Sequence, residues 1–150
     1  MIVIQYILSA IFIVLMYVSM AIFAILGAIP ALLSRKATYW VIRTYCGFAI
    51  WLARVICGLK VEQRGAIPTG NVVVASKHQS FFDVILHAYY LPNVNYVMKQ
   101  ELKYVPIIGF YGARIGTAPV KRGQKSKAVS QMMSGVTKHD GDTQLVIYPQ

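Results

Sequence analysis

The residues of this chain best placed to do chemistry are His78 and Asp83, in Lys77-His78-Gln79-Ser80-Phe81-Phe82-Asp83. They follow the apolar run Val72-Val73-Val74-Ala75. Acidic residues are scarce: only Glu62, Asp83, Glu101, Asp140 and Asp142. On a continuous helix, residues five apart point about 140° away from each other. The two side chains can therefore meet only if the chain turns between them, as a strand-to-helix loop allows. A carboxylate against one imidazole nitrogen fixes the tautomer and leaves the other nitrogen free to take a proton. The competing reading is a loop histidine beside a helix-capping aspartate, and spacing alone leaves both open.

The elements that must position this pair begin with a strongly apolar segment. The chain has 150 residues, enough for one modest domain. It is 57% hydrophobic, with a mean hydropathy of +0.54, too apolar for an ordinary soluble domain. No charged side chain occurs from Met1 to Ser34. A helix of that length would run about 50 Å, against a hydrocarbon core of about 30 Å. Gly27 and Pro30 are expected to break it, leaving residues 2–26 able to span with some tilt. A cleaved signal peptide is not expected, because there is no basic n-region and no short h-region.

A second helix is expected over Ala37 to Leu59. Lys36, Arg43 and Arg54 fall within about 20° of one another around its axis. Tyr39, Trp40 and Trp51 lie within about 60° of that line. A basic stripe flanked by amphipathic aromatics suits a helix at the headgroup level; the alternative is a buried helix with snorkelling cations. Cys46 and Cys57 would sit about 16 Å apart along this helix, too far for a disulfide. They read as packing residues in a reducing, cytoplasmic-side setting. Arg35 and Lys36, directly after the uncharged run, place the following domain in the cytoplasm by the positive-inside tendency. The anchor leans toward two helices lying partly in the cytoplasmic leaflet.

Net charge is +10, from 15 Lys and Arg against 5 acids. Such a balance fits nucleic acid, an anionic membrane surface or an anionic substrate. Nucleic acid fits worst, because the basic residues are dispersed and no nucleic-acid motif is present.

Beyond residue 59 the pattern alternates. Strands are expected at Lys60–Gln63, Val72–Ser76, Val94–Met98, Ile115–Val120 and Gln144–Tyr148. Helical stretches are expected at Phe82–Tyr90, Gln100–Tyr104, Ile107–Ala113 and Lys125–Lys138. This alternation predicts an α/β fold, a largely parallel sheet flanked by helices and covered on both faces. It divides the chain into anchor helices over residues 1–59 and a catalytic portion over residues 60–150. Sites in such sheets lie at the carboxyl ends of strands, where His78 falls. The chain stops straight after a strand, so the C-terminal part of the domain is expected to be missing.

Further features follow His78 in order. They are Lys99-Gln100-Glu101-Leu102, then Gly116-Thr117-Ala118-Pro119-Val120-Lys121-Arg122, then Leu145-Val146-Ile147-Tyr148-Pro149-Gln150. Together these resemble the glycerolipid acyltransferases, specifically the bacterial 1-acylglycerol-3-phosphate acyltransferase group. His78 and Asp83 match its H-x-x-x-x-D motif. Gly116 through Arg122 match its second motif, and Lys99 a basic position between the two. The final strand matches the run into the third motif, usually Glu-Gly-Thr-Arg and sometimes begun by Gln. Lys121 and Lys77 stand where many members carry Asp and Asn.

The resemblance implies a membrane enzyme of phospholipid biosynthesis, on the cytoplasmic side of a bacterial inner membrane. It would move an acyl chain from acyl-CoA or acyl carrier protein to lysophosphatidic acid, giving phosphatidic acid. His78 would be the general base and Asp83 its orienter. Lys99 and Arg122 would hold the acceptor phosphate, with Gly116 as motif support. No cofactor or metal is implied; one His with one Asp supplies too few ligands. Another lyso-lipid, such as a lyso-ornithine lipid, is an alternative acceptor. A non-catalytic, membrane-anchored basic module binding anionic headgroups is the alternative of another class. Because the third motif would continue past Gln150 with Gly-Thr-Arg, the 150 residues alone are expected to be inactive.

Overall fold

A computed structural model describes residues 2–120 and 142–148. The uncharged N-terminus forms α1 (Ile2–Leu26). Gly27 interrupts it, and a short α2 (Ala28–Leu33) follows. Pro30 sits near the start of α2, where a missing N–H costs least. Ser34 then leaves the helix with extended backbone and caps α3 (Arg35–Cys57), its hydroxyl accepting from the Lys36 amide at 3.2 Å. Helix α3 starts two residues before the expected Ala37 because of that cap. It stops at Gly58, which adopts φ 67°, a conformation open to glycine and awkward for other residues.

The expected strand over residues 60–63 does not form. Residues 58–70 run over the surface without ladder hydrogen bonds, and Glu62 pairs with nearby Arg64, at 3.0 Å. An isolated apolar–polar alternation becomes a strand only where a neighbouring strand offers an edge.

The remaining elements are β1 (Val72–Ala75), α4 (Phe82–Tyr90), β2 (Val94–Lys99), a 3₁₀ turn (Gln100–Tyr104), α5 (Pro106–Ile115), β3 (Ala118–Val120) and β4 (Gln144–Ile147). The strands make one sheet in the order β1-β4-β2-β3, and every described pairing is parallel. Thus the expected α/β architecture is present. β3 is shorter than the expected Ile115–Val120 because α5 persists through Ile115. Gly116, at φ 84°, then reverses the chain. The expected helix over Lys125–Lys138 lies outside the described residues.

The apolar faces converge on a main core, with a smaller cluster of Ala31, Val41 and Tyr111 beside it. Phe12 and Met16 of α1 join Tyr39, Cys46, Ala49, Leu52 and Ala53 of α3. These meet Ile85 and Ala88 of α4, Leu91, Val94 of β2, Ile115 of α5 and Val146 of β4. Tyr39 therefore belongs to this core and not to the basic stripe, and its hydroxyl donates to the Val94 carbonyl at 3.2 Å. Trp40 and Trp51 do lie on the outer face, 66% and 54% exposed.

Polar cross-braces tie the N-terminal helices to α5. Arg114 donates to the carbonyls of Ala31 at 2.9 Å and Leu32 at 2.7 Å, which α2 leaves unpaired at its end. The Tyr111 hydroxyl donates to Ala24 O at 2.9 Å. Arg35 returns the contact, donating to Ile115 O at 2.7 Å. Hydrogen bonds to a charged donor are each worth about 1.5–3 kcal/mol, so these braces hold the helices in register with the sheet.

Candidate active site

The loop after β1 is shaped by its own side chains. The Ser80 hydroxyl accepts from the Phe82 amide at 3.2 Å, and the Asp83 carboxylate accepts from the Ser80 amide at 2.8 Å. These two hydrogen bonds brace the turn into α4, whose N-cap residue, Phe81, makes no side-chain cap of its own. The same Asp83 oxygen, Oδ2, also accepts from the Gln79 amide at 2.7 Å. Helix starts favour negative charge, so the carboxylate sits where the backbone stabilises it.

Asp83 Oδ2 also lies 3.6 Å from His78 Nδ1. Asp83 thus braces the turn that leads into α4 and also faces the imidazole. At 3.6 Å the contact is electrostatic and too long for a hydrogen bond. Both side chains are accessible, His78 at 36% and Asp83 at 24%. The Asp83 carboxyl is held below its ordinary value of 3.8, first by the Ser80 amide, then by the Gln79 amide and by His78 and His87.

A depressed folded-state value means that the ionised carboxylate stabilises the fold. That contribution is fully present above about pH 5, one unit above the unfolded carboxyl value. It is lost as pH falls through the depressed value. We expect Asp83→Asn to lower the thermal midpoint at neutral pH. The difference from the parent should shrink on acidification below pH 4. A deficit independent of pH in parallel melts would show that the carboxylate charge is not what the loop uses.

Two groups not singled out as site residues complete the environment. Tyr148, directly after β4, lies with its ring 4.5 Å from that of His78 and tilted by 37°. On its other side is His87 of α4, ring centres 6.0 Å apart at 75°. The register Ala75↔Ile147 explains the meeting: parallel β1 and β4 release their chains side by side. Nothing local in the sequence marks a contact between residues 61 and 70 positions apart. Burial, and secondarily the Asp83 charge, push the Tyr148 phenol up to about 12. It stays protonated at physiological pH.

His78, Phe81 and Tyr148 form one margin of an open groove of about 1110 Å³. Its walls are apolar: Met16, Met20 and Phe23 of α1, Ile42 and Tyr45 of α3, Val84 and Ile85 of α4, Met98 of β2 and Ile108 of α5. The N-terminal helices thus supply one wall of the cavity beside the histidine. A groove this apolar suits a hydrocarbon chain, and His78 is among the residues that line it.

The other expected site residues are placed unevenly. The backbone of Lys99 ends β2, at the same carboxyl edge as His78; its side chain lies outside what is described. Gly116 precedes β3 and ends α5 in a left-handed conformation; its carbonyl accepts from buried Asn95 at 2.9 Å. Arg122 lies outside the described residues, beyond the end of β3. Among the described residues, no group of three or more His, Cys, Asp or Glu side chains is placed to hold a metal ion.

Comparison with known proteins adds a family assignment. The acyltransferase family model matches residues 58–150. The 1-acyl-sn-glycerol-3-phosphate acyltransferase of Pseudomonas aeruginosa is 35% identical over 105 residues, covering 69% of this chain and 41% of that protein. The protein of the same name from Helicobacter pylori is 31% identical over 96 residues, 63% of this chain and 40% of that one. Mouse 1-acyl-sn-glycerol-3-phosphate acyltransferase epsilon is 29% identical over 121 residues, 72% of this chain and 33% of that one. The chain spans about two fifths of the length of the two bacterial relatives. No solved structure gives a significant match.

Proposed function

This chain belongs to the glycerolipid acyltransferase family, and from that premise we propose that it carries the base and the chain-binding groove of a 1-acylglycerol-3-phosphate acyltransferase. The observation that carries the reading is His78, lining an apolar groove and faced by the Asp83 carboxylate. In the reaction, His78 takes the proton from the free hydroxyl of the lysophospholipid. The hydroxyl oxygen attacks the carbonyl carbon of an acyl thioester. The tetrahedral intermediate collapses, the C–S bond breaks, and the leaving thiolate takes the proton back from the imidazolium. The products are phosphatidic acid and a free thiol, carried by coenzyme A or acyl carrier protein. Asp83, already ionised by its amide contacts, faces the nitrogen opposite the one that cycles the proton and stabilises the imidazolium. The acyl chain lies along the apolar walls.

Lys99 and Arg122 are proposed to hold the acceptor phosphate. Arginine suits this because its planar fork meets phosphate bidentately. Arg122→Ala should raise KM for a phosphate-bearing acceptor about tenfold or more, the worth of one charge-assisted contact. KM for the donor should change little. An equal loss with an acceptor lacking phosphate, such as a lyso-ornithine lipid, would remove Arg122 from the role and reopen the choice of acceptor.

Helices α1 and α3 are each long and apolar enough to cross a bilayer, which together with the family supports membrane association. We place the sheet on the cytoplasmic side of the inner membrane, where acyl donors are, on the strength of Arg35 and Lys36. Reporter fusions after residue 60 should read as cytoplasmic; a periplasmic signal would overturn this orientation. Catalysis is favoured over a non-catalytic headgroup-binding module, because such a module has no use for a carboxylate-paired histidine beside a chain-sized groove.

A further inference from the structure

We propose that Tyr148 is a positioning residue for the base, its ring fixing the plane of the His78 imidazole through a four-membered clamp closed on Asp83. The proposal rests on the acyl-transfer reading for its kinetic consequences, but not for its geometry.

Asp83 does not pin His78 by itself. Its contact with Nδ1 is 3.6 Å, and its Oδ2 is already committed to the amides of Gln79 and Ser80. An imidazole held only by a long electrostatic contact can still turn about its side-chain bonds. What restricts that turning is the Tyr148 ring, 4.5 Å away and tilted by 37°. Offset and tilted aromatic pairs of this spacing attract through their quadrupoles and dispersion. When the base takes a proton, the same π face lies beside a cation, which it favours.

Tyr148 is in turn held from behind. His87 Nδ1 is 2.6 Å from the carbonyl oxygen of Asp83. A carbonyl can only accept, so Nδ1 carries the proton and donates it. The Tyr148 hydroxyl is 3.4 Å from that same nitrogen, whose one proton is already given to the carbonyl and which keeps no lone pair to accept the phenol proton, so the contact between the two residues rests on their rings, edge to face at 6.0 Å. His87 thus braces the edge of the tyrosine, and Asp83 holds both ends: its carboxylate faces His78 and its carbonyl anchors His87. The clamp therefore depends on an aromatic ring at position 148 and not on the hydroxyl.

Two measurements test this. In the whole protein, Tyr148→Leu should lower kcat about three- to tenfold, the range for losing one aromatic pair, while KM for donor and acceptor stays within about twofold. Tyr148→Phe should recover most of kcat. In solution NMR of the unmutated chain with labelled histidine, the His78 ring protons should be shifted upfield by the neighbouring ring. Their resonance is identified by its loss in His78→Ala. Tyr148→Phe should keep the shift and Tyr148→Leu abolish it. A Phe variant as impaired as the Leu variant, or an unshifted His78 in the unmutated chain, would overturn the proposal. If Tyr148→Leu fails to fold, the unmutated spectrum and the Phe variant still decide it. If no variant transfers acyl groups, the functional reading falls and the NMR arm alone judges the clamp.

Discussion

Replacing His78 with alanine in the whole protein should lower kcat by about 10²–10⁴-fold, the usual range for losing a general base. That corresponds to about 2.7–5.5 kcal/mol of transition-state stabilisation. The size of the effect follows from the geometry. No other described side chain at this margin of the groove can do the job: Asp83 is held ionised by two amides, and the Tyr148 phenol is pushed up to about 12. His87 does not line the groove, and its Nδ1 is committed to a carbonyl. Membrane association should be unchanged, because His78 is exposed and lies outside the core that joins α1 and α3 to the sheet. Sedimentation with membranes, run beside the kinetics, separates loss of chemistry from loss of fold. A variant that loses membrane association along with activity would assign His78 to the fold.

The second large effect is structural and sits at Gly109. A Cβ placed there would overlap the carbonyl of Lys103 in the 3₁₀ turn that follows β2. The obstacle is backbone, so no side-chain rotamer can relieve it. Gly109→Ala must push α5 away from the turn or distort one of them. Overpacking of this kind costs about 1–3 kcal/mol, and backbone obstruction belongs at the upper end. The displacement would also reach the site, because the turn continues from Lys99, whose backbone ends β2 at the sheet's carboxyl edge. We expect a lower thermal midpoint and a raised KM for the acceptor. Gly112→Ala is the matched control: a Cβ there meets Met98 and Thr117 at an ordinary 3.5 Å. If Gly109→Ala melts with the parent, the close packing of α5 on the 3₁₀ turn is not maintained in solution.

How much could be read without coordinates depended on the range of the interactions involved. Helix α4 was legible to the residue, because Leu91-Pro92-Asn93 stops it and a polar loop starts it. The turn braced by Ser80 and Asp83 is equally local, and for Asp83 the spacing leaves helix capping and pairing with His78 both open. Asp83 braces the turn into α4 and faces His78. The start of β3 was misjudged by three residues, since apolar Ile115 fits a helix or a strand equally well and Gly116 decides between them. The strand over residues 60–63 failed because a strand needs a neighbour, which no local pattern supplies. Tyr148 and His87 escaped for a related reason. Their meeting with His78 depends on the register of β4 against β1, a pairing of segments about 70 residues apart. The stripe on α3 was right for Trp40 and Trp51 and wrong for Tyr39, which lies at its edge and turns into the core. The contribution of α1 and α3 to the groove beside His78 was likewise invisible in hydropathy, which marks a helix as apolar without saying what it packs against.

In the reaction proposed for this family member, His78 serves the movement of an acyl chain from a thioester to the hydroxyl of lysophosphatidic acid. Its most direct measurement is formation of radiolabelled phosphatidic acid by the whole protein in detergent, from labelled acyl-CoA or acyl carrier protein with lysophosphatidic acid, beside a His78→Ala control. Product well above the control is expected with at least one donor. Product formed equally by the His78→Ala variant, or none from either donor by a folded protein, would contradict it.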